Sequence, residues 1–172
     1  MKWTEHANKP CTIAKTLAVI GESWTLLILR NFFLGARRFE ELQRQLGLTR
    51  HVLTDRLNHL VEHEILQKIP YGENARRFEY RLTVKGKALY PVIMSLADWG
   101  NQWLIDKGEE PIAHVHQDCE QHTRPVMSCS VCGDELKPQR VTVIPGNPLQ
   151  ALSQSLNEEE LTTEIGYRVP AP

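Results

Sequence analysis

The sequence predicts a mainly α-helical chain carrying one small β-hairpin, with a β-rich, cysteine-containing extension behind it. Three observations predict this. Apolar residues recur at helical spacing on both sides of Gly47. Residues 65–83 then switch to the alternation of paired strands, and charge is divided unevenly along the chain. Helix, turn, helix and hairpin in that order describe a winged helix-turn-helix.

Taken in order, residues 12–21 and 24–33 read as two helices. Ile13, Leu17, Ile20, Trp24, Leu27, Ile28 and Phe32 supply their apolar faces, and Ser23 is the expected N-cap of the second. Phe39, Leu42 and Leu46 fall at i, i+3 and i+7 of a third helix, which Gly47 stops by tolerating positive φ. Thr49 then caps a fourth helix. Leu53, Leu57, Leu60 and Val61 face inward there, while Arg50, His51, Thr54, Asp55 and Asn58 face out. Strands are expected at 65–69 and 76–83 around a breaker-rich turn at 70–74, with Phe78, Tyr80 and Leu82 sharing one face. A long helix should run from about Lys85 to Ile105, kinked or restarted at Pro91. Its stripe of Leu89, Ile93, Leu96, Ala97, Gly100 and Leu104, with Trp99 and Trp103 beside it, exceeds what one small domain covers. Either a second copy or the C-terminal segment must cover it.

Net charge is −1 over 172 residues, which by itself favours no partner. By segment, residues 30–87 hold 12 Lys/Arg against 7 Asp/Glu, and residues 106–172 hold 5 against 11. A basic half beside an acidic half fits a chain whose first half alone meets phosphate. The excess is modest, so specific binding to double-stranded DNA should need two copies. No apolar run approaches the roughly 20 residues of a membrane span. The N-terminus lacks a signal-peptide core, so a cytoplasmic chain is expected, with its four cysteines reduced, metal-bound or redox-active. No Ser/His/Asp grouping, phosphate loop or carboxylate pair appears, and Cys129-x2-Cys132 lacks a thioredoxin-like context. An enzyme is therefore not expected.

Candidate DNA-contacting residues follow from position. Thr49, Arg50 and His51 open the fourth helix, where side chains reach base edges, and an arginine there can bond guanine bidentately. Thr54 and Asn58 continue the same face. Arg56 reaches a phosphate or forms an ion pair with Asp55 or Glu40. Arg37 and Arg38 precede the third helix and can clamp backbone. Asn74, Arg76 and Arg77 sit at the wing tip, suited to a phosphate backbone or minor groove.

The expected organisation is 1–107 for DNA binding and dimerisation, 108–146 for the extension, and 147–172 for a loosely ordered tail. In the extension, Cys129-x2-Cys132-Gly is half of a zinc site, and Cys119-x2-His122 is a candidate for the other half. A strand over 123–128 would hold the pairs about 20 Å apart. Pairing 112–118 with 123–129 would bring His114 near Met127. A structural zinc site and a metal-free ribbon both remain open.

The chain resembles the HxlR-type winged helix-turn-helix transcriptional regulators. The resemblance rests on Cys11, Ile20-Gly21-Glu22-Ser23-Trp24-Thr25-Leu26-Leu27-Ile28-Leu29-Arg30, and Gly35-Ala36-Arg37-Arg38-Phe39-Glu40-Glu41-Leu42. It continues through Leu53-Thr54-Asp55-Arg56-Leu57-Asn58-His59-Leu60 and Tyr80-Arg81-Leu82-Thr83-Val84-Lys85-Gly86, covering roughly residues 10–105. It implies a homodimeric regulator, expected to be a repressor, whose two recognition helices enter successive major grooves of a palindromic operator. Departures are Ser23 in place of lysine, Thr12 in place of proline, and Asn74-Ala75-Arg76 in place of a proline-rich wing tip. The alternative is a sensor whose DNA binding is switched by Cys11 or by the Cys129/Cys132 site. The resemblance places an N-terminal cysteine at position 11 in redox-sensing relatives, while a purely packing role for Cys11 also stays open.

Overall fold

A computed structural model describes residues 10–72, 77–144, 146–157, 159, 160 and 162. The chain divides into two compact units, one of Ser23–Val126 and one joining Met1–Glu22 to Met127–Pro172.

The larger unit opens with α2 (Thr25–Phe33), α3 (Phe39–Leu46) and α4 (Arg50–Glu62). Ile28, Leu29 and Phe32 of α2, Leu42 of α3, and Leu53, Leu57 and Leu60 of α4 are wholly buried, with Leu66 beside them. Burying a side chain of this size contributes about 1.5–3 kcal/mol. Trp24 and Leu27, expected to face inward, remain partly exposed. The expected Ser23 cap is also displaced. Trp24 occupies the N-cap of α2 in a left-handed conformation, φ 75°, with no side-chain cap bond. Gly47 ends α3 at φ 65°, as the helix stop requires, and Thr49 Oγ1 accepts the Val52 N–H at 3.4 Å to start α4.

The wing follows at once. Strands β1 (Leu66–Pro70) and β2 (Phe78–Leu82) pair antiparallel with Leu66 opposite Leu82 and Lys68 opposite Tyr80. A third segment extends the ladder, through the bridge of Arg38 with Glu79 and the Tyr80 N–H donated to the Arg37 carbonyl at 2.8 Å. Thr83 caps the short α5 (Val84–Lys87) and donates its hydroxyl to the Glu64 carbonyl at 2.6 Å. Gly86 is there because of space: a Cβ on it would collide with the Ile65 carbonyl. The expected long helix restarts, with α6 (Tyr90–Leu104) carrying Pro91 in its first turn, where a missing N–H costs nothing.

Beyond α6, β3 (His114–His116) pairs with β4 (Gln121–Thr123), His114 lying opposite Thr123. The expected pairing of His114 with Met127 does not form. The turn closes earlier, with Glu120 at φ 56° donating its N–H to the His116 carbonyl. Pro125, which has no N–H for a ladder, follows one residue after β4. The smaller unit contains α1 (Thr12–Ile20), a 3-10 turn at Pro138–Arg140, and α7 (Asn147–Ser153). The segment expected as a loose tail thus begins with a helix, opened by Pro148 with its pre-set φ. Among the described residues no single helix is long and apolar enough to cross a membrane.

Candidate nucleic-acid interface

At about 100° per residue, Arg50, Thr54, Asn58 and His51 fall within an arc of roughly 100° on α4. All four are exposed, while Leu53, Leu57 and Leu60 turn to an adjoining, buried side. His51 Nε2 lies 3.5 Å from Asp55 Oδ2 one turn on, an exposed contact that orients the ring. The Arg50 guanidinium sits 5.2 Å from the centre of the Phe39 ring, so α3 steadies the head of this side chain. Thr49 is committed to its cap.

A cleft of about 440 Å³ runs beside this row, lined by Arg50, Lys68, Tyr71, Arg77 and Phe78 among others. Lys68 Nζ lies 4.3 Å from the Phe78 ring centre, and Arg38 stacks 5.0 Å over Tyr71. Recognition helix and wing therefore share one surface, with Arg38, Arg50, Lys68 and Arg77 along it and Glu40 as the one acid of the cleft lining. Tyr80 forms its floor. Burial first, and then the charge of Glu40, holds the Tyr80 hydroxyl above its ordinary pKa.

Arg37 and Arg56 sit apart from the exposed row of α4. Arg37 is half-buried, and its Nη1 donates at 2.7 Å to both the Phe32 and the Ala36 carbonyls. It ties the end of α2 to the start of α3 instead of pointing at solvent. Arg56 is half-buried on the side of α4 away from the exposed row. Asn74 and Arg76 lie outside the described residues. Lys68 and Tyr71 were not anticipated: alternation puts Lys68 on the same face of β1 as the buried Leu66, yet its side chain is exposed. Asn31 was also missed. It is buried, accepts from Arg30 Nε and Nη2 through Oδ1, and donates to Gln45 Oε1 at 2.9 Å, linking α2 to α3.

The cysteines occupy three settings. Cys11 is the N-cap of α1, its sulfur 3.5 Å from the Ala14 nitrogen that donates to it. Cys119 has His116 beside it, Nδ1 to Sγ at 3.3 Å, where His122 was expected. Cys129 and Cys132 form a tight knuckle: Cys129 donates its N–H to the Asp134 carbonyl, and Gly133, at φ 79°, donates to the Cys129 carbonyl. The N–H groups of Cys132 and then Val131, followed by the Cys132 thiol, hold the Cys129 thiol below its ordinary pKa. Among the described residues no group of three or more His, Cys, Asp or Glu is placed to hold a metal ion.

Comparison with known proteins agrees with this architecture. A model of the HxlR-like helix-turn-helix matches residues 19–108. The HTH-type transcriptional regulator Rv3095 of Mycobacterium tuberculosis is 40% identical over 146 residues, 85% of this chain and 92% of that one. The crystal structure of PA1607, a proposed transcription factor, superposes with a TM-score of 0.74 at 34% identity, over 83% of this chain and 99% of that one. That share is more than the matched helix-turn-helix segment can supply, so part of the extension is common to both. The redox regulator HypR in its oxidized form superposes with a TM-score of 0.50 at 30% identity, over 54% of this chain and 96% of that one. Cationic recognition helix, wing and relatives agree: the chain belongs to the HxlR-like helix-turn-helix family and is a transcriptional regulator of the HTH type.

Proposed function

We propose that the protein is a cytoplasmic homodimeric repressor that places α4 of each copy in successive major grooves of a palindromic operator. The observation that carries this is the exposed row of Arg50, His51, Thr54 and Asn58, flanked by Arg38, Lys68 and Arg77. Arginine at the start of α4 supplies base readout, and the wing cations supply phosphate contacts. The second copy is supported by α6. Val92, Leu96, Trp99 and Trp103 are all exposed, and their spacing of 4, 3 and 4 residues is that of a self-complementary helix seam. Repression follows where two such half-sites, about 34 Å apart, overlap a promoter.

A selection from random duplexes, followed by footprinting, tests this reading. Two inverted half-sites one helical turn apart are expected, bound with an affinity that falls steeply with salt. A monomeric footprint, or binding indifferent to salt, refutes it.

A second reading adds a thiol trigger. It is supported by Cys11 capping α1, by the amides converging on Cys129, and by similarity to a redox regulator. Oxidation of Cys11 removes the side-chain cap of α1. Diamide should then release operator from wild type and not from Cys11→Ser or Cys129→Ser, whichever holds the trigger. Equal release from wild type and both variants rejects the trigger.

A further inference from the structure

Within the unit Ser23–Val126, the end of α2, one face of α6 and strand β3 enclose a cleft of about 700 Å³. This lies within the range of small-molecule sites. Its walls are apolar, from Phe33, Tyr90, Ile93, Ala97, Ile112 and Val115, and its main fixed charge is Arg30. We propose that the cleft is an effector site for a small aromatic molecule bearing one anionic group, a carboxylate or sulfonate. The regulatory half of this proposal rests on the DNA-binding reading above; the binding half does not.

Charge argues for an anion. The Arg30 guanidinium is held in place by Nε and Nη2, both donating to Asn31 Oδ1 at 3.0 and 2.9 Å, and Asn31 is anchored on Gln45. Its partner is thus a neutral amide, and among the described residues no carboxylate forms an ion pair with it. The one acid of the lining, Asp118, is 90% exposed and faces His116 at 3.5 Å. A fixed cation at the edge of an apolar cleft has its charge left to be neutralised, and a ligand anion excluded from water gains most there. Ring shape follows from Phe33 and Tyr90, whose centroids lie 5.1 Å apart at 54°, an edge-and-face wall that accepts a further ring.

The geometry also says what occupancy would do. Tyr90, Ile93, Met94 and Ala97 line the cleft, whereas Val92, Leu96, Trp99 and Trp103 emerge from α6 about 140° away. One helix therefore carries the cleft on one side and the proposed dimer seam on the other. Across the cleft, α2 is bonded through Asn31 to α3 of the helix-turn-helix. A ligand wedged between α2 and α6 resets the seam relative to α4, and so the distance between the two recognition helices.

The test uses the full chain and two fluorescent probes of one ring system, 8-anilinonaphthalene-1-sulfonate and uncharged N-phenyl-1-naphthylamine. Wild type should bind the sulfonate at least tenfold more tightly. Arg30→Met should erase that preference, and Leu34→Asp, an exposed position at the rim, should abolish sulfonate binding without threatening the fold. Ala97→Phe should exclude both probes, while Val84→Asp, at an exposed residue of α5 outside the cleft, the seam and the DNA-facing row, should bind the sulfonate as wild type does. Equal affinity of wild type for the two probes, binding retained in Leu34→Asp, or loss in Val84→Asp overturns the site. With the operator present, saturating sulfonate should shift the DNA dissociation constant at least fivefold. An unshifted constant overturns the regulatory half, and it is distinguishable from failure of DNA binding itself, which would show without any probe.

Discussion

Arg37 and Arg50 are both arginines beside the helix-turn-helix, and replacing each with alanine should fail in opposite ways. Arg37 Nη1 makes two bonds of 2.7 Å to the Phe32 and Ala36 carbonyls from a half-buried position. A hydrogen bond to a charged donor contributes about 1.5–3 kcal/mol, but water reaches part of this site and replaces some of it. A net loss of about 1–3 kcal/mol is therefore expected for Arg37→Ala, which for a chain of this size lowers Tm by about 2–12 °C. Intrinsic operator affinity at a temperature where the variant is folded should be nearly unchanged. Arg50→Ala removes an exposed stacking contact on Phe39, worth less than about 1 kcal/mol to the fold. It should instead weaken operator binding by about 1–3 kcal/mol, roughly 5- to 150-fold. Thermal melts and fluorescence anisotropy on the same two preparations decide the matter. A stable Arg37→Ala that has lost DNA binding, or an unstable Arg50→Ala that has kept it, would refute the assignment of roles.

Gly86→Ala should destabilise the protein by about 1–3 kcal/mol in urea denaturation, because the new methyl must displace the Ile65 carbonyl or the Leu82 side chain. The double change Trp99→Asp and Trp103→Asp, at two residues 55% and 64% exposed, should give monomers in sedimentation while leaving the helical circular dichroism intact. Cys129 should alkylate faster than Cys132 with iodoacetamide, and its rate should persist to lower pH. Its pKa is depressed in the folded state by the Cys132 and Val131 amides, so the folding contribution of the thiolate is present above the unfolded value and lost as pH falls through the folded one. Equal rates at the two cysteines across the pH range would show that the knuckle does not activate Cys129.

What was legible in the sequence is whatever local chemistry decides. The apolar repeats of α3 and α4, the stop at Gly47, the cap at Thr49 and the restart at Pro91 each depend on residues within one or two turns, and all appear as expected. The bonds of Arg37 to the Phe32 and Ala36 carbonyls were not legible, because nothing in the spacing shows that those carbonyls point back at it. Asn31 escaped for a related reason: a polar residue on an apolar helix face declares its purpose only once Gln45 is beside it. The cap of α2 was misplaced by one residue because serine is the better capper, yet the chain enters that helix through a left-handed Trp24. In the extension, pairing 112–118 with 123–129 would have made a long hairpin. The short turn at Glu120 and Pro125 beyond it limit that hairpin to three residues a strand.

The break at Pro91 has a further consequence for how the protein opens. With α5 closed by its own cap bonds and α6 starting afresh, no helical hydrogen-bond ladder runs unbroken from the wing into α6, and no residue of α6 is fully buried in a single copy. A helix of 15 residues is marginal alone in water, so in an isolated copy α6 constitutes a cooperative unit of its own near the low end of the stability scale. Its amides should exchange with solvent by local opening long before those of α4 do. Their protection should rise with protein concentration, which makes α6 the segment whose order reports assembly.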